Sequence, residues 1–288
     1  MKSLYLFIVC FIVVSNSLIA QEEIALYKNG PTESNNISVE ESIDKYAFMR
    51  DISKPRIYAY IAPKEIATGA AVLICPGGAY WGVSTDKEGT EIAAWFNKLG
   101  ISAFVLYYRM PNGHNEIPLK DAQTALGMIH KGAKEWNLNK HKIGIIGFSA
   151  GGHLASTVGT HFTKKTRPDF MILVYPVISM KKEITHGGSR QNLIGKNPSE
   201  EMVNLYSNEL QVSKNTPPTF LIVANDDNVV PAQNSILFYQ ALQANNVPSE
   251  IHTFDIGGHG FGMRKRNLEV DIWPDLLQNW LKTNKLIN

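Results

Sequence analysis

Residues 143–153 read I-G-I-I-G-F-S-A-G-G-H, and this stretch decides the fold class. A run of β-branched apolar residues predicts a buried strand that ends in a tight turn at Ser149 and leads into a helix. Gly147 and Gly151 flank the serine as in a G-x-S-x-G nucleophile elbow, where the turn leaves no room for Cβ atoms. The turn would present the hydroxyl at a helix N-terminus, where free N–H groups favour developing negative charge. The stretch therefore predicts Ser149 as a nucleophile.

Apolar runs of strand length alternate with helix-period segments on both sides of this stretch. The predicted strands are residues 56–62, 70–75, 101–108, 169–175, 219–224 and 249–255, and the predicted helices are residues 85–99, 119–136, 232–245 and 267–286. This alternation predicts an α/β fold with a mainly parallel central sheet and helices on both faces. Residues 21–55 are polar and aperiodic, which predicts a surface lead-in. Residues 179–216 are also polar, and we expect a cap inserted into a single domain of residues 21–288.

The N-terminal segment has the pattern of a signal peptide. Lys2 precedes an apolar run at residues 4–14, and small residues follow up to Ala20. The apolar run is shorter than the roughly 20 residues of a membrane span. We therefore expect residues 1–20 to direct the chain to the periplasm or the medium, with cleavage after Ala20 and no stable membrane insertion afterwards.

Charge and cysteine content exclude several classes of function. The formal net charge is +2 without a dense Lys/Arg run, which argues against a nucleic-acid partner. Only Cys10 and Cys75 occur, and Cys75 ends an apolar run, so we expect a small buried side chain. The sequence contains no H-E-x-x-H, no Cys-x-x-Cys and no dinucleotide or phosphate-loop pattern. We expect neither a metal nor a cofactor.

A glycine-containing segment, C-P-G-G-A-Y-W-G at residues 75–82, follows the second predicted strand. Active residues of α/β proteins collect beyond the carboxyl ends of the strands. The bare backbone here predicts an oxyanion hole in which the N–H groups of Gly78 and Ala79 stand opposite that of Ala150, the residue after the nucleophile.

Acidic and histidine candidates follow the last two predicted strands. A-N-D-D-N-V-V-P at residues 224–231 offers Asp226 and Asp227, and either carboxylate could orient an imidazole while the other caps the next helix. F-D-I-G-G-H-G-F-G at residues 254–262 places His259 among glycines, which predicts a mobile, exposed loop. The order of serine, aspartate and histidine is that of α/β-hydrolases.

Together these motifs resemble those of the exported acetylxylan esterase-like α/β-hydrolases, a group of carbohydrate and small-ester esterases. The matching text includes C-P-G-G-A-Y, G-F-S-A-G-G-H-L-A, Y-P-V-I-S-M, D-D-N-V-V-P and G-G-H-G-F-G. By this likeness the acid of the D-x-x-V-P pattern is Asp227. The resemblance implies a serine esterase that removes acetyl groups from xylan or other plant saccharides through an acyl-enzyme formed by Ser149, with His259 as base.

Four further side chains are candidates for substrate binding. Tyr80 and Trp81 directly follow the oxyanion glycines, where their rings would cap a short acyl pocket and offer flat faces to a sugar. His186 and Arg190 lie in the polar insertion and could hydrogen-bond sugar hydroxyls. The expected partner is an acetylated saccharide or another small ester.

Other functions fit the same motifs. The chain could be a feruloyl or aryl esterase, a general short-chain carboxylesterase, or a serine peptidase of the same fold. A different class is a catalytically silent glycan-binding protein, against which the intact Ser149, Asp227 and His259 argue. Turnover of p-nitrophenyl acetate, with and without a serine-directed phosphonate, separates the two classes.

Overall fold

The computed structural model describes residues 21–288, and the predicted signal segment lies outside the described residues. The strands, in chain order, are β1 (Gln21–Ala25), β2 (Ser42–Ile43), β3 (Phe48–Arg50), β4 (Arg56–Tyr60), β5 (Ala71–Cys75), β6 (Gly82–Ser84), β7 (Ser102–Tyr107), β8 (Ile143–Phe148), β9 (Met171–Val174), β10 (Thr219–Ala224) and β11 (Ser249–Phe254). The helices are α1 (Glu91–Lys98), α2 (Ile117–Gly132), α3 (Ala150–Thr160), α4 (Gly187–Ile194), α5 (Glu200–Tyr206), α6 (Gln233–Ala244) and α7 (Trp273–Thr283). A π-helical turn at Asp86–Thr90 leads into α1.

Eight of the strands described in residues 21–288 form one sheet, in the order β1-β4-β7-β5-β8-β9-β10-β11. The six strands from β7 to β11 in this order pair in parallel, whereas β4 and β1 add an antiparallel edge. The predicted α/β-hydrolase fold with a mainly parallel sheet is therefore confirmed.

The central strands are covered on both faces. Every residue of β5, β7, β8 and β10 is buried. Because successive side chains point to opposite faces of a sheet, burial of every residue requires cover on both sides. This double cover explains why these strands appear in the sequence as continuous apolar runs. In β11, at the edge of the sheet, only Phe254 is buried.

The lead-in is more ordered than its composition predicts. Within residues 21–55, β1 pairs with β4 at the edge of the main sheet, and β2 and β3 join β6 in a small second sheet. β2 and β3, with two and three residues, are too short to show a period of two, and the partners β4 and β6 of β1 and β3 lie outside the lead-in. Because β6 follows the predicted oxyanion loop directly, the small sheet lies beside the candidate site.

The segment at residues 179–216, which we expect to form a cap, contains the two short helices α4 and α5. The N-terminus of α4 is capped by His186, whose Nδ1 accepts the N–H of Ser189 at 3.2 Å. Its Gly-Gly start and the lack of an apolar stripe explain why the sequence pattern did not predict a helix.

The C-terminal helix begins later than predicted. A 3₁₀ turn at Glu269–Ile272 precedes α7, and Pro274 occupies the first turn of α7, where its missing N–H removes no intrahelical bond. Trp273, Leu277 and Leu281 are buried against the core. In the described part of the chain, no helix is both long enough and apolar enough to cross a membrane.

Candidate active site

The nucleophile elbow forms at the junction of β8 and α3. Ser149 has φ 52° and ψ −121°, a conformation that costs about 1–3 kcal/mol for a residue with a side chain. A Cβ at Gly147 would lie 2.1 Å from the carbonyl oxygen of Gly151, and a Cβ at Gly151 would lie 2.1 Å from that of Cys75. Both glycines are therefore required by close backbone contact, as the motif predicts.

Ser149, His259 and Asp227 form a continuous chain of hydrogen bonds. Oγ of Ser149 lies 2.9 Å from Nε2 of His259, and Nδ1 of His259 lies 2.7 Å from Oδ2 of Asp227. The other Asp227 oxygen, Oδ1, accepts the N–H groups of Val229 and Val230 at 2.9 and 2.8 Å. Because a carboxylate accepts from Nδ1–H, Nε2 is left free to accept the serine proton. The three side chains have the geometry of a nucleophile, a base and an orienting acid.

Asp226 points to a different partner. Its Oδ1 accepts the N–H groups of Gly257 and Gly258 at 2.8 and 2.7 Å, and these bonds hold the pKa of the carboxyl below its usual value. The expectation that one of the two aspartates caps α6 is wrong, because α6 has no side-chain cap. Adjacent residues that leave a strand point in opposite directions, so Asp226 fastens the histidine loop while Asp227 contacts the imidazole.

The loop that carries His259 is held at several points. Besides the two bonds to Asp226, Nε1 of Trp273 donates to the carbonyl of Gly262 at 2.7 Å. The N–H of Gly262 donates to the hydroxyl of Tyr175 at 3.1 Å. These hydrogen bonds hold the loop, and its glycines serve left-handed backbone conformations, with φ 66° at Gly260 and 54° at Gly262. The mobility of the loop stays a prediction.

The predicted oxyanion donors are free. Within residues 21–288, the N–H groups of Gly78, Ala79 and Ala150 make no hydrogen bond. Ala150 is the first residue of α3, where backbone donors have no intrahelical partner. Gly78 and Ala79 line the cavity in front of Ser149. Gly77, by contrast, donates its N–H to Glu88 at 2.8 Å and is not available to a substrate.

Tyr80 does not occupy the position predicted for it. Its side chain is only 2% exposed, and its hydroxyl lies 2.8 Å from Nδ1 of His153. Nε2 of His153 donates to the carbonyl of Tyr206, so Nδ1 accepts the Tyr80 hydroxyl, and burial lowers the pKa of His153 to about 4. A ring held in the core can neither cap an acyl pocket nor stack on a sugar, so that prediction is wrong for Tyr80.

Trp81, the next residue, lies on the rim of the site. It is 55% exposed and lines the cavity beside Ser149. Its ring packs against Phe48 with centroids 5.8 Å apart, and the guanidinium of Arg50 lies 4.6 Å from its centroid. The left-handed backbone at Ala79 and Tyr80 separates the two aromatic neighbours, one into the core and one to the surface.

Of the two substrate-binding candidates in residues 179–216, only one lines the cavity. His186 lines the cavity, and burial lowers the pKa of its imidazole. Arg190 is not among the described residues that line the cavity, and its Nε donates to the carbonyl of Met180 at 2.9 Å. The predicted contact of Arg190 with substrate is therefore wrong, because its position one turn into α4 directs it to the backbone of its own segment.

The cavity has a volume of about 730 Å³. Sequence reasoning missed a group of residues that line it, which are Lys45, Tyr46, Phe48, Asp86, Lys87, Glu88, Val229 and Arg264. It also missed Tyr175, whose ring stands edge-on to His259 with centroids 4.9 Å apart. The Y-P step after β9 is the one sequence feature that could have indicated Tyr175.

Cys75 is fully buried at the end of β5, and burial raises the pKa of its thiol. This is the predicted small core side chain. In residues 21–288, no group of three or more His, Cys, Asp and Glu side chains has an arrangement that could hold a metal ion.

Comparison with known proteins adds to this geometry. The family model for BD-FAE matches residues 58–242. The chain belongs to the BD-FAE family. A solved structure of similar fold is the acetyl ester-xyloside bifunctional hydrolase from Caldicellulosiruptor lactoaceticus, with a TM-score of 0.80 and 35% identity over 93% of this BD-FAE chain and 97% of that one.

Two curated proteins are also similar in sequence to this BD-FAE chain. An acetylxylan esterase from Xylanibacter ruminicola is 38% identical over 223 residues, which are 76% of this chain and 46% of that protein. An endo-1,4-beta-xylanase B from Butyrivibrio fibrisolvens is 35% identical over 72% of this chain and 34% of that protein. The chain thus spans about half the length of the first relative and about a third of the second. The predicted resemblance to acetylxylan esterase-like α/β-hydrolases is confirmed.

Proposed function

We propose that this BD-FAE protein is an exported serine esterase that removes acetyl groups from xylan or other plant-derived saccharides. The observation that carries the proposal is the hydrogen-bonded chain from Oγ of Ser149 through His259 to Asp227. The relatives named as an acetylxylan esterase and an acetyl ester-xyloside hydrolase support the choice of substrate.

The reaction follows from the positions of the groups. Nε2 of His259 accepts the proton of the Ser149 hydroxyl as Oγ attacks the ester carbonyl, and the carboxylate of Asp227 stabilises the imidazolium that forms. The N–H groups of Ala150 and of residues 78–79 are free to stabilise the oxyanion. The imidazolium then gives this proton to the sugar oxygen as the bond between that oxygen and the acyl carbon breaks, and the sugar leaves with a free hydroxyl. Water hydrolyses the acyl-Ser149 ester by the same steps, and acetate leaves.

The rim of the cavity supports a saccharide as the alcohol part of the ester. Trp81 and Tyr46 are 55% and 76% exposed and both line the cavity, so each offers a flat apolar face to a sugar ring. His186 lies on the same cavity and belongs to the segment at residues 179–216, which we propose as a cap over the sugar. These three residues are candidates for recognition of a saccharide.

A second candidate function is that of a general short-chain or feruloyl carboxylesterase. The observation that favours it is the open cavity of about 730 Å³, since the buried Tyr80 does not shorten the space for the acyl group. Each methylene buried in a roomy apolar pocket contributes about 0.8 kcal/mol. A rise of several-fold in kcat/KM per methylene from acetate to butyrate to octanoate would favour this alternative, and a fall supports the acetyl esterase.

The decisive experiment measures acetate release from acetylated xylan and turnover of p-nitrophenyl acetate. Ser149→Ala should lower turnover by roughly 10⁶, and a serine-directed phosphonate should label Ser149. The matched control is Ser249→Ala. Ser249 lies at the start of β11, whereas Ser149 follows the carboxyl end of β8, so the two serines lie at opposite ends of the parallel strands. Turnover of small esters without acetate release from xylan would contradict xylan as the substrate and favour a general carboxylesterase. No turnover and no adduct would leave a glycan-binding protein.

Export is the part of the proposal that rests on residues 1–20. The basic start, the apolar run and the small residues before position 21 support cleavage after Ala20. Expression of the full chain in a Gram-negative host, followed by N-terminal sequencing of the periplasmic and secreted fractions, tests it. We expect a mature chain that begins at Gln21, whereas an intact N-terminus in the cytoplasm would contradict export.

A further inference from the structure

A buried carboxylate connects the two loops of the candidate site. Oε2 of Glu88 accepts the N–H of Gly77 at 2.8 Å, directly before the oxyanion residues. Oε1 of Glu88 accepts the hydroxyl of Tyr175 at 2.9 Å. The Tyr175 oxygen in turn accepts the N–H of Gly262 at 3.1 Å, three residues after His259. Glu88 and Tyr175 therefore connect the oxyanion loop to the histidine loop.

The hydrogen bonds assign a charge to Glu88. The Gly77 N–H can only donate, and the Tyr175 hydroxyl donates to Glu88, because its buried proton would otherwise have no hydrogen-bond partner in residues 21–288. Both Glu88 oxygens therefore accept, as expected of a carboxylate. The side chain is almost fully buried and, within the described residues, forms no ion pair. A buried unpaired charge is costly to the fold, so packing alone does not explain an acid at this position.

The backbone at both residues departs from regular structure. Glu88 lies in the π-helical turn at Asp86–Thr90, a rare conformation that is frequent at functional sites. Tyr175 has φ 39°, a strained value for a residue with a side chain, and its ring packs edge-on against both His259 and Phe261. Such conformations persist only where the surroundings hold them, and they cluster at active sites.

We propose that Glu88 and Tyr175 are positioning residues that set the oxyanion loop and His259 in register with Ser149. The proposal rests on the esterase function proposed above. Through Gly77, the carboxylate holds the backbone that presents the Gly78 and Ala79 donors. From behind the Tyr175 ring, its negative charge also favours the imidazolium that His259 becomes when it takes the serine proton. Acylation and deacylation both pass through this imidazolium.

The kinetic test uses Glu88→Gln, Tyr175→Phe and the double variant. We expect each single change to lower kcat for p-nitrophenyl acetate by roughly 10- to 100-fold, less than or comparable to the loss of a direct oxyanion donor. KM should stay within about twofold, and the double variant should resemble the worse single one, because the two residues act as a unit. Thermal melting of each variant separates loss of folded protein from loss of rate.

Matched controls exist for both substitutions. Glu209→Gln changes another buried carboxylate, which bonds the Ser179 hydroxyl at 3.0 Å and lies outside the site. Tyr60→Phe removes a buried hydroxyl that has no partner in the described residues. Both controls should keep the kcat of the wild-type protein.

A titration that needs no turnover tests the charge. The imidazole resonance of His259, assigned with His259→Asn in ¹³C-histidine-labelled protein, is followed against pH by NMR. In Glu88→Gln its titration midpoint should move to lower pH by roughly 0.5 unit or more, because a negative charge that favours the imidazolium has gone. Tyr175→Phe keeps the carboxylate and should move the midpoint less. The other charged or titratable groups that face His259 are Asp227, Lys87, Arg266 and His186, and all stay in place.

The two readouts decide the proposal together. An unmoved midpoint in Glu88→Gln, or kcat within about twofold of wild type in a folded protein, overturns it. If the wild-type chain hydrolyses no ester and Ser149 takes up no phosphonate, the proposed function fails. The titration midpoint then still decides whether Glu88 acts on His259.

Discussion

Asp227→Asn should remove most activity by reversing the tautomer of His259. Oδ1 of Asp227 accepts two backbone N–H groups, from Val229 and Val230, while Oδ2 accepts Nδ1–H of His259. In the asparagine variant the amide oxygen stays with the two N–H donors, and the NH₂ group faces Nδ1. The imidazole proton then moves to Nε2, which can no longer accept from Ser149.

The size of the loss in kcat follows from the free-energy cost of the other orientation of the amide in the asparagine variant. Turning the amide over restores the bond to His259 but places an NH₂ group against two backbone donors. Each donor left unsatisfied costs about 1–3 kcal/mol, so the productive orientation lies about 2–6 kcal/mol higher. This energy corresponds to a fall in kcat of roughly 30-fold to 3 × 10⁴-fold, a range that includes the loss of about 10⁴ found for the same change in the chymotrypsin triad.

Asp226→Asn is the matched control, because it makes the same substitution one residue earlier. Asp226 uses only Oδ1, for the N–H groups of Gly257 and Gly258, so an asparagine can keep that oxygen in place and turn its NH₂ group to solvent. Its kcat for p-nitrophenyl acetate should stay within a few-fold of wild type. Equal losses in the two variants, or a larger loss in Asp226→Asn, would refute the reasoning.

Three further predictions concern the elbow, the core and the rim. Gly147→Ala should abolish soluble folded protein, because its Cβ would lie 2.1 Å from a carbonyl oxygen. In Gly127→Ala, by contrast, the new Cβ on α2 meets nothing within 4 Å, and the free energy of unfolding in urea titrations should rise by about 0.5–1 kcal/mol. Burial lowers the pKa of His153 from 6.5 to about 4, so the unfolded chain binds more protons than the folded chain between these pH values. In urea titrations the free energy of unfolding should therefore fall by about 1.4 kcal/mol per pH unit as the pH drops through this window. His153→Gln should lack this part of the slope. Trp81→Ala should raise KM for acetylated xylo-oligosaccharides by roughly tenfold with little change for p-nitrophenyl acetate, and an equal change for both substrates would contradict a sugar-binding role.

Much of the fold and part of the site could be predicted from local pattern. The run at residues 219–224 has the bounds of β10, because a strand covered on both faces is apolar at nearly every position. Gly147 is required by contact with the Gly151 carbonyl within the turn itself, so the motif predicted the local conformation, whereas Gly151 is required by the carbonyl of Cys75 on the neighbouring strand β5.

Other features were decided only by the tertiary structure. The residues alone left Asp226 and Asp227 open, and the contacts across 32 positions to Gly258 and His259 separate them. Tyr80 and Trp81 are adjacent and similar, yet one enters the core and the other lies on the rim.

The hydrogen bond from Tyr175 to Glu88 joins residues that lie 87 positions apart in the chain. The strands β1 and β3 form by pairing with β4 and β6, and the polar sequence of residues 21–55 does not indicate these partners. The spacing of apolar residues in the sequence indicates which face of a single helix or strand is buried. The direction of a side chain at a strand end, and the charge it meets there, depend on loops that the sheet brings together from distant parts of the chain.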